Sequence, residues 1–304
     1  MTGPRDIRRR VEDRPHTDYS KGRLRIAPVK ATWFSANMIG TVIALLAFPS
    51  WQGAAVWLTL SILTLAGGHS LAMHRKLIHG SYDCPAWLEH FGIHLACLVG
   101  LGGPFTMMRA HDIRDWAQRQ PDCHAFYSQH ASIVRDTVNQ LFMRFELETP
   151  PRFHFPDRLE RDPWMVWLQR TSILQNALLA LVLFAIGGWA WALWGVCVRV
   201  FTSMLGHSLV GWFAHNCGPQ DWCKPEAGVQ GYNVRGLSLF TFGEAYHNNH
   251  HAFPECANFG LMPGQWDAGY AVLRVLERFG LVWNLRHTPE VSPGDTATVR
   301  TAKV

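Results

Sequence analysis

ATWFSANMIGTVIALLAFPSWQGAAVWLTLSILTLAGGHSLAM, residues 31–73, contains no Asp, Glu, Lys or Arg. A helix rises 1.5 Å per residue, so about 20 apolar residues cross the hydrocarbon layer of a bilayer. The stretch is long enough for two spans and a turn, and Pro49-Ser50-Trp51-Gln52-Gly53 supplies the turn. A second stretch, Thr171–Met204, carries one charge, Arg199, and has its own break at Gly187-Gly188-Trp189. Trp at these breaks suits a membrane interface. The spacing predicts four spans, at about 32–50, 53–73, 171–187 and 190–213. The competing reading is a pair of buried helical hairpins in a soluble protein, but soluble core helices have no need of such long uncharged runs.

The flanks set the topology. Residues 1–30 hold nine Lys/Arg and form a basic tail. Such a tail before a span is expected to stay cytoplasmic, so the chain returns to the cytoplasm near His74. No short apolar run with a cleavage site marks a secretory signal. Residues 84–108 are apolar but carry Glu89, His90 and His94, which reads as a re-entrant or interfacial segment. Residues 109–170, with nine basic and nine acidic residues, and residues 214–287 are expected to form a cytoplasmic cap. The tail from Thr288, which contains Thr, Pro and Gly, is expected to be loose. Both termini are expected in the cytoplasm, where the seven Cys would be reduced thiols. Lys+Arg exceeds Asp+Glu only by 28 to 23, with no basic patch interleaved with aromatics, which argues against a nucleic-acid partner.

Fourteen of the sixteen His fall between His69 and His251. In Glu244-Ala-Tyr-His247-Asn-Asn-His250-His251-Ala-Phe-Pro254 the three His stand at i, i+3 and i+4. These positions share one helical face, so the rings can converge on one point. A neutral imidazole offers one lone pair to a metal, and three of them make most of a coordination shell. His74 and His79 bracket the run His-Arg-Lys-Leu-Ile-His. At i, i+5 an α-helix turns about 140°, so this pair need not serve one ion from one side. His69, deeper in the span, reads as a hydrogen-bonded core residue.

The run HRKLIH, a central box near His111 and HNNHHAFP after the fourth span resemble the membrane fatty-acid desaturases of the acyl-CoA type, over about Thr32 to His251. The resemblance implies an all-helical fold of four spans with a cytoplasmic cap. It implies two irons among His ligands and insertion of a cis double bond into a long acyl chain. Electrons would come from a separate carrier of ferredoxin, rubredoxin or cytochrome type, and the oxidant from O2. Acyl-CoA is the expected carrier of the chain, with acyl-carrier protein and membrane phospholipid open. Carried over residue by residue, the resemblance assigns His74 and His79 to the first box and His247, His250 and His251 to the third. His215 matches the ligand that follows the fourth span. The family often has an Asn four residues before it; here Gly211 stands there.

The central box departs from the family's H-R-x-H-H: this chain has His111-Asp112-Ile113-Arg114-Asp115. Arg114 cannot ligate, because guanidinium stays protonated and has no acceptor. Asp115, at i+4 from His111, shares its helical face and supplies a carboxylate, an ordinary companion of imidazoles on non-haem iron. It is the expected replacement ligand; the alternative is an ion pair with Arg114 or Arg109. Asp122, His124 and Glu244 are candidates to hold ligand tautomers. Arg109 matches a headgroup-contact position, and Arg75 or Lys76 are further candidates there. An unactivated methylene C–H is beyond side-chain acid–base chemistry and needs an oxidant made from O2 at a metal. The alternatives are a related hydroxylase, a non-catalytic lipid- or metal-binding descendant, and a metal transporter, which would need more ionisable residues deep in its spans.

Overall fold

The computed structural model describes residues 10–288 and the strand Thr298–Val299. Three of the nine basic residues of the expected N-terminal tail, Arg5, Arg8 and Arg9, and nearly all of the C-terminal tail lie outside these residues. In order, the elements are β1 (Val11–Glu12), β2 (Gly22–Ile26), α1 (Pro28–Ala47), α2 (Trp51–Ile62), α3 (Ala86–Leu98), α4 (Pro104–Gln118), α5 (Ala125–Ser128), α6 (Ile133–Phe142), β3 (Met143–Leu147), β4 (Arg152–Phe153), α7 (Asp157–Glu160), α8 (Pro163–Ala192), α9 (Arg199–Asn216), β5 (Trp222–Cys223), α10 (His247–Ala252), α11 (Ala268–Arg278) and β6 (Thr298–Val299). The strands form three small antiparallel pairs, β1 with β4, β2 with β3 and β5 with β6. The fold is otherwise helical. Residues 10–26, read from sequence as part of a tail, are folded back onto the strands that follow α6.

Among the described residues, three helices are long and apolar enough to cross a membrane: Pro28–Ala47, Trp51–Ile78 and Pro163–Asn216. Their starts are marked locally. Pro28 and Pro163 occupy first-turn positions, where a missing N–H costs nothing. The Ser50 hydroxyl accepts from Gly53 N at 3.1 Å, and Asp162 accepts from Trp164 N and Met165 N. The third helix is folded in two. Gly187 and Gly188 leave the helical region, Gly188 at a φ of 64° that favours glycine. Beyond the break the chain doubles back, so that Leu183 packs in one apolar cluster with Val196.

The second long helix changes pitch. From Leu63 to Ile78 it is a π-helix, closed by i→i+5 hydrogen bonds. α3 packs against this segment at very short range. A Cβ on Gly68 would lie 2.4 Å from Ala96 N, and one on Gly92 would lie 2.5 Å from the Ala72 Cβ. The buried end of α3 is held by side chains from three other helices. Arg199, fully buried, donates to the Leu98 carbonyl, Asn176 reaches the Cys97 carbonyl at 3.5 Å, and Trp33 donates to the Gly100 carbonyl at 3.1 Å. The other guanidinium contacts of Arg199 are Gly195 O and Asn176 Oδ1, both at 2.7 Å. Arg199 thus has a structural partner for each contact it makes, and these partners are neutral.

Candidate metal centre

Among the described residues, seven histidines lie in two groups, within each of which the ligand atoms are mutually within 4.8 Å: His74, His79, His111 and His250 in the first, and His215, His247 and His251 in the second. The π-helix explains the first pair. The His79 N–H bonds to the His74 carbonyl at 3.0 Å, which is an i→i+5 contact. It stacks position 79 beside position 74, and their ring centroids are 4.7 Å apart. The α-helical rotation assumed from the sequence therefore does not apply here, and the two rings fall in one group.

α10 corrects a second expectation. His247, His250 and His251 do not converge on one point. His250 points to His74 and His79, at ring centroids of 4.5 and 4.6 Å. His247 and His251, one turn apart, point to His215, at 4.7 and 5.6 Å. The short helix therefore joins the two groups rather than filling one.

The nitrogen spacing is that of a ligand set. His74 Nε2 and His79 Nε2 lie 3.2 and 3.3 Å from His111 Nε2, and His247 Nε2 lies 3.2 Å from His215 Nε2. Two nitrogens about 2.1 Å from one ion, at roughly 90–109°, would stand about 3.0–3.4 Å apart. In three of the rings the opposite nitrogen faces an acceptor. His74 Nδ1 contacts Glu244 Oε2 at 2.6 Å, His111 Nδ1 contacts Asp112 Oδ1 at 3.3 Å, and His215 Nδ1 donates to Gly211 O at 2.8 Å. Each fixes a tautomer whose lone pair faces the group. Burial pushes His247 and His250 well below the usual histidine range and His251 down to about 4, which keeps these three rings neutral, whereas at His111 the Asp115 and Asp112 carboxylates outweigh burial and raise it. Burial opposes ionisation of Glu244 and Asp115, but neighbouring positive charge, His74 for the first and His111 for the second, outweighs it and holds each at about 2. Neutral imidazoles backed by carboxylates are the form a cation binds.

The remaining candidates fall in different places. Glu244 braces His74 and also accepts from Ser70 Oγ at 2.6 Å. Asp115 belongs to neither group; its carboxylate is 3.9 Å from His111 Nδ1 and 3.7 Å from Arg119 Nη2. The ion pair it makes is thus with Arg119, not with Arg114 or Arg109. Arg114 turns away to Gln140 Oε1 at 2.6 Å. Asp122 is exposed. The His124 ring accepts from Phe126 N and stacks on Phe145 at 4.0 Å, so its contacts are with α5 and β3 rather than with a ligand. Arg109 is exposed, with its guanidinium 5.9 Å over the Phe153 ring. Arg75 and Lys76 are not at a mouth. Arg75 is fully buried on Asp267 and the Phe242 carbonyl, and Lys76 is held by Tyr82 O and Asp83. His69 sits against His207, at 5.1 Å, outside both groups.

Three residues near the groups had no signal in the sequence. Asp112 orients His111 and is itself held by Arg10 Nε at 2.7 Å. Gln118 presents its amide nitrogen to His215 Nε2 at 3.0 Å. Gln129 fills the space beside Gly211, where a Cβ would meet its amide at 3.0 Å.

A profile of the fatty acid desaturase family matches residues 28–266. Among similar proteins, the sn-1 stearoyl-lipid 9-desaturase of Synechocystis sp. is 28% identical over 86% of this chain and 81% of its own. Delta-9 acyl-lipid desaturase 2 of Arabidopsis thaliana is 29% identical, over 88% and 86%. An acyl-CoA 5-desaturase of Anemone leveillei is 28% identical, over 80% and 74%. The profile spans most of the chain and includes every histidine of the two groups, so the chain belongs to the fatty acid desaturase family, whose members are membrane oxidoreductases.

Proposed function

We propose that the chain inserts a cis double bond into a long-chain acyl lipid, acyl-CoA foremost, at a two-iron centre. His74, His79, His111 and His250 would hold one iron. His215, His247 and His251 would hold the other; Asp115 would add a carboxylate to the first, next to His111. Bound iron supplies the O2-derived oxidant that an unactivated C–H bond requires. Two adjacent C–H bonds break and one C=C bond forms. O2 takes up four electrons, two from the chain and two from a separate carrier, and leaves as two waters. The residues of this chain orient the ions, keep their ligands neutral and hold the substrate.

The observation that carries this reading is the arrangement of the histidines in two adjacent sets at ligand spacing. Their location supports it. His74 and His79 stand at the C-terminal end of Trp51–Ile78, and His215 at that of Pro163–Asn216. A centre there lets an acyl chain lie among apolar helices while its headgroup stays in water. In this reading Pro28–Ala47, Trp51–Ile78 and the two limbs of Pro163–Asn216 are four spans. α3 is re-entrant, being 13 residues long where a crossing needs about 20. The cap and both termini face the cytoplasm, as the basic residues before α1 require. Arg109 is the candidate contact for a headgroup phosphate. The names of the relatives favour desaturation over hydroxylation.

The test is reconstitution of the iron-loaded protein in lipid vesicles with a reduced carrier, O2 and deuterated stearoyl chains presented as CoA thioester or as phospholipid. Mass spectrometry is expected to find a monounsaturated chain that has lost two deuterons, together with two irons per protein. A hydroxylated chain would overturn the assigned reaction. Unchanged chains from a two-iron, reduced protein in both substrate arms would overturn the activity.

A further inference from the structure

The second group has three imidazoles where the first has four, and the chain places an uncommitted donor at the gap. α4 runs past both groups and presents His111, Asp115 and Gln118 at i, i+4 and i+7, on one face. His111 enters the first group. Gln118, two turns on, reaches the second. It is 2% exposed. One amide N–H donates to the Tyr127 carbonyl at 2.8 Å, and the same nitrogen lies 3.0 Å from His215 Nε2. That nitrogen of His215 carries the lone pair, because Nδ1 gives its proton to Gly211 O. The amide therefore occupies the position from which an ion would draw on His215. Its own Oε1 is buried without a hydrogen-bond partner, an expensive state for a carbonyl.

We propose that Gln118 is the fourth protein donor of the second group, binding the ion through Oε1. This rests on the two-ion reading above. An ion at His215, His247 and His251 removes the N–H contact on His215, since one lone pair cannot serve both. The same ion gives the stranded oxygen its partner. The second site is then three imidazoles and a neutral amide oxygen, a harder and weaker donor set than four imidazoles. Gln118, Asp115 and His251 also line a common cavity with Arg119, so the amide and a member of the second group border the same space.

Titration of the metal-free, detergent-solubilised protein with Co2+ tests this, read by ions per chain, chelator competition and visible absorption. The parent is expected to bind two ions, the second more weakly. Gln118→Leu is expected to leave the first ion unchanged and to weaken the second by at least about tenfold. Gln118→Glu, which keeps the shape and adds charge, is expected to retain two ions, tighten the second and shift its absorption bands. If Gln118 only braces α4 against Tyr127, both variants change the melting temperature and leave the second ion's affinity and spectrum as in the parent, which overturns the proposal. A parent that binds fewer than two ions overturns the two-ion reading itself, and that result is seen before any variant is made.

Discussion

The two histidine groups share α10 but are braced by opposite kinds of partner. In the first, His74 leans on the Glu244 carboxylate and His111 on Asp112, which is neutralised in turn by Arg10. In the second, His215 is held by a backbone carbonyl and faced by an amide. A carboxylate behind an imidazole raises its basicity and favours the more oxidised ion; a neutral partner does so less. A further carboxylate, Asp115, lies 3.9 Å from His111 Nδ1, beside the first group. The centre is thus built asymmetrically, and the two ions are expected to differ in affinity and in the charge they tolerate.

Breaking either group at a ligand has the largest effect. His79→Ala and His247→Ala are each expected to abolish desaturation and to lower iron from two to one per chain, with a different ion lost in each; Mössbauer spectra of the two variants should be complementary. If both variants lost both ions, the groups would be one cooperative site and the comparison would fail. Asp115→Asn comes next. It removes the negative charge beside the first group and is expected to weaken iron loading by about tenfold or more, measured by chelator competition. Glu244→Gln sharpens the contrast, since about a tenfold loss is expected at the first ion alone, with the second unchanged. Arg199→Met serves as the control remote from both groups. It strands the Leu98 carbonyl and is expected to cost about 1–3 kcal/mol of stability, seen as a lower melting temperature at an unchanged ratio of the two ions. Arg109→Ala should have the smallest effect. An exposed charge is worth about 0.2–1 kcal/mol, so KM for a phosphate-bearing acyl substrate is expected to rise no more than about fivefold.

The helices were legible because their signal is local and redundant. Dozens of uncharged residues, a Pro or a capping Ser at the start, and a glycine pair at the break all agree. The identities of the clustered histidines were legible too, from spacing and from the family's boxes. Their partition was not. Joining His74 to His79 needs the π pitch, which residue spacing on an α-helix does not contain. Splitting His250 from His251 depends on what surrounds α10, since adjacent positions on so short a helix look equivalent in a string of letters. The carboxylates behaved likewise. Asp115 stood out because it replaces a histidine of the family, whereas Asp112, next to His111, had no periodicity to mark it and is placed by Arg10 from 102 residues away. Arg75 was open to a surface role by its position at the end of a span, and only the distant Asp267 takes it inside.

The brace on the buried end of α3 bears on how the protein is made. Leu98 precedes Arg199 by 101 residues. Synthesis adds about 5–20 residues each second, so some 5–20 s separate the two. For that interval the last turn of α3 exists without its guanidinium. For most of it Asn176 cannot stand in either, because it is made only 23 residues before Arg199. The end of α3 therefore stays unfinished until α9 arrives and closes the bundle.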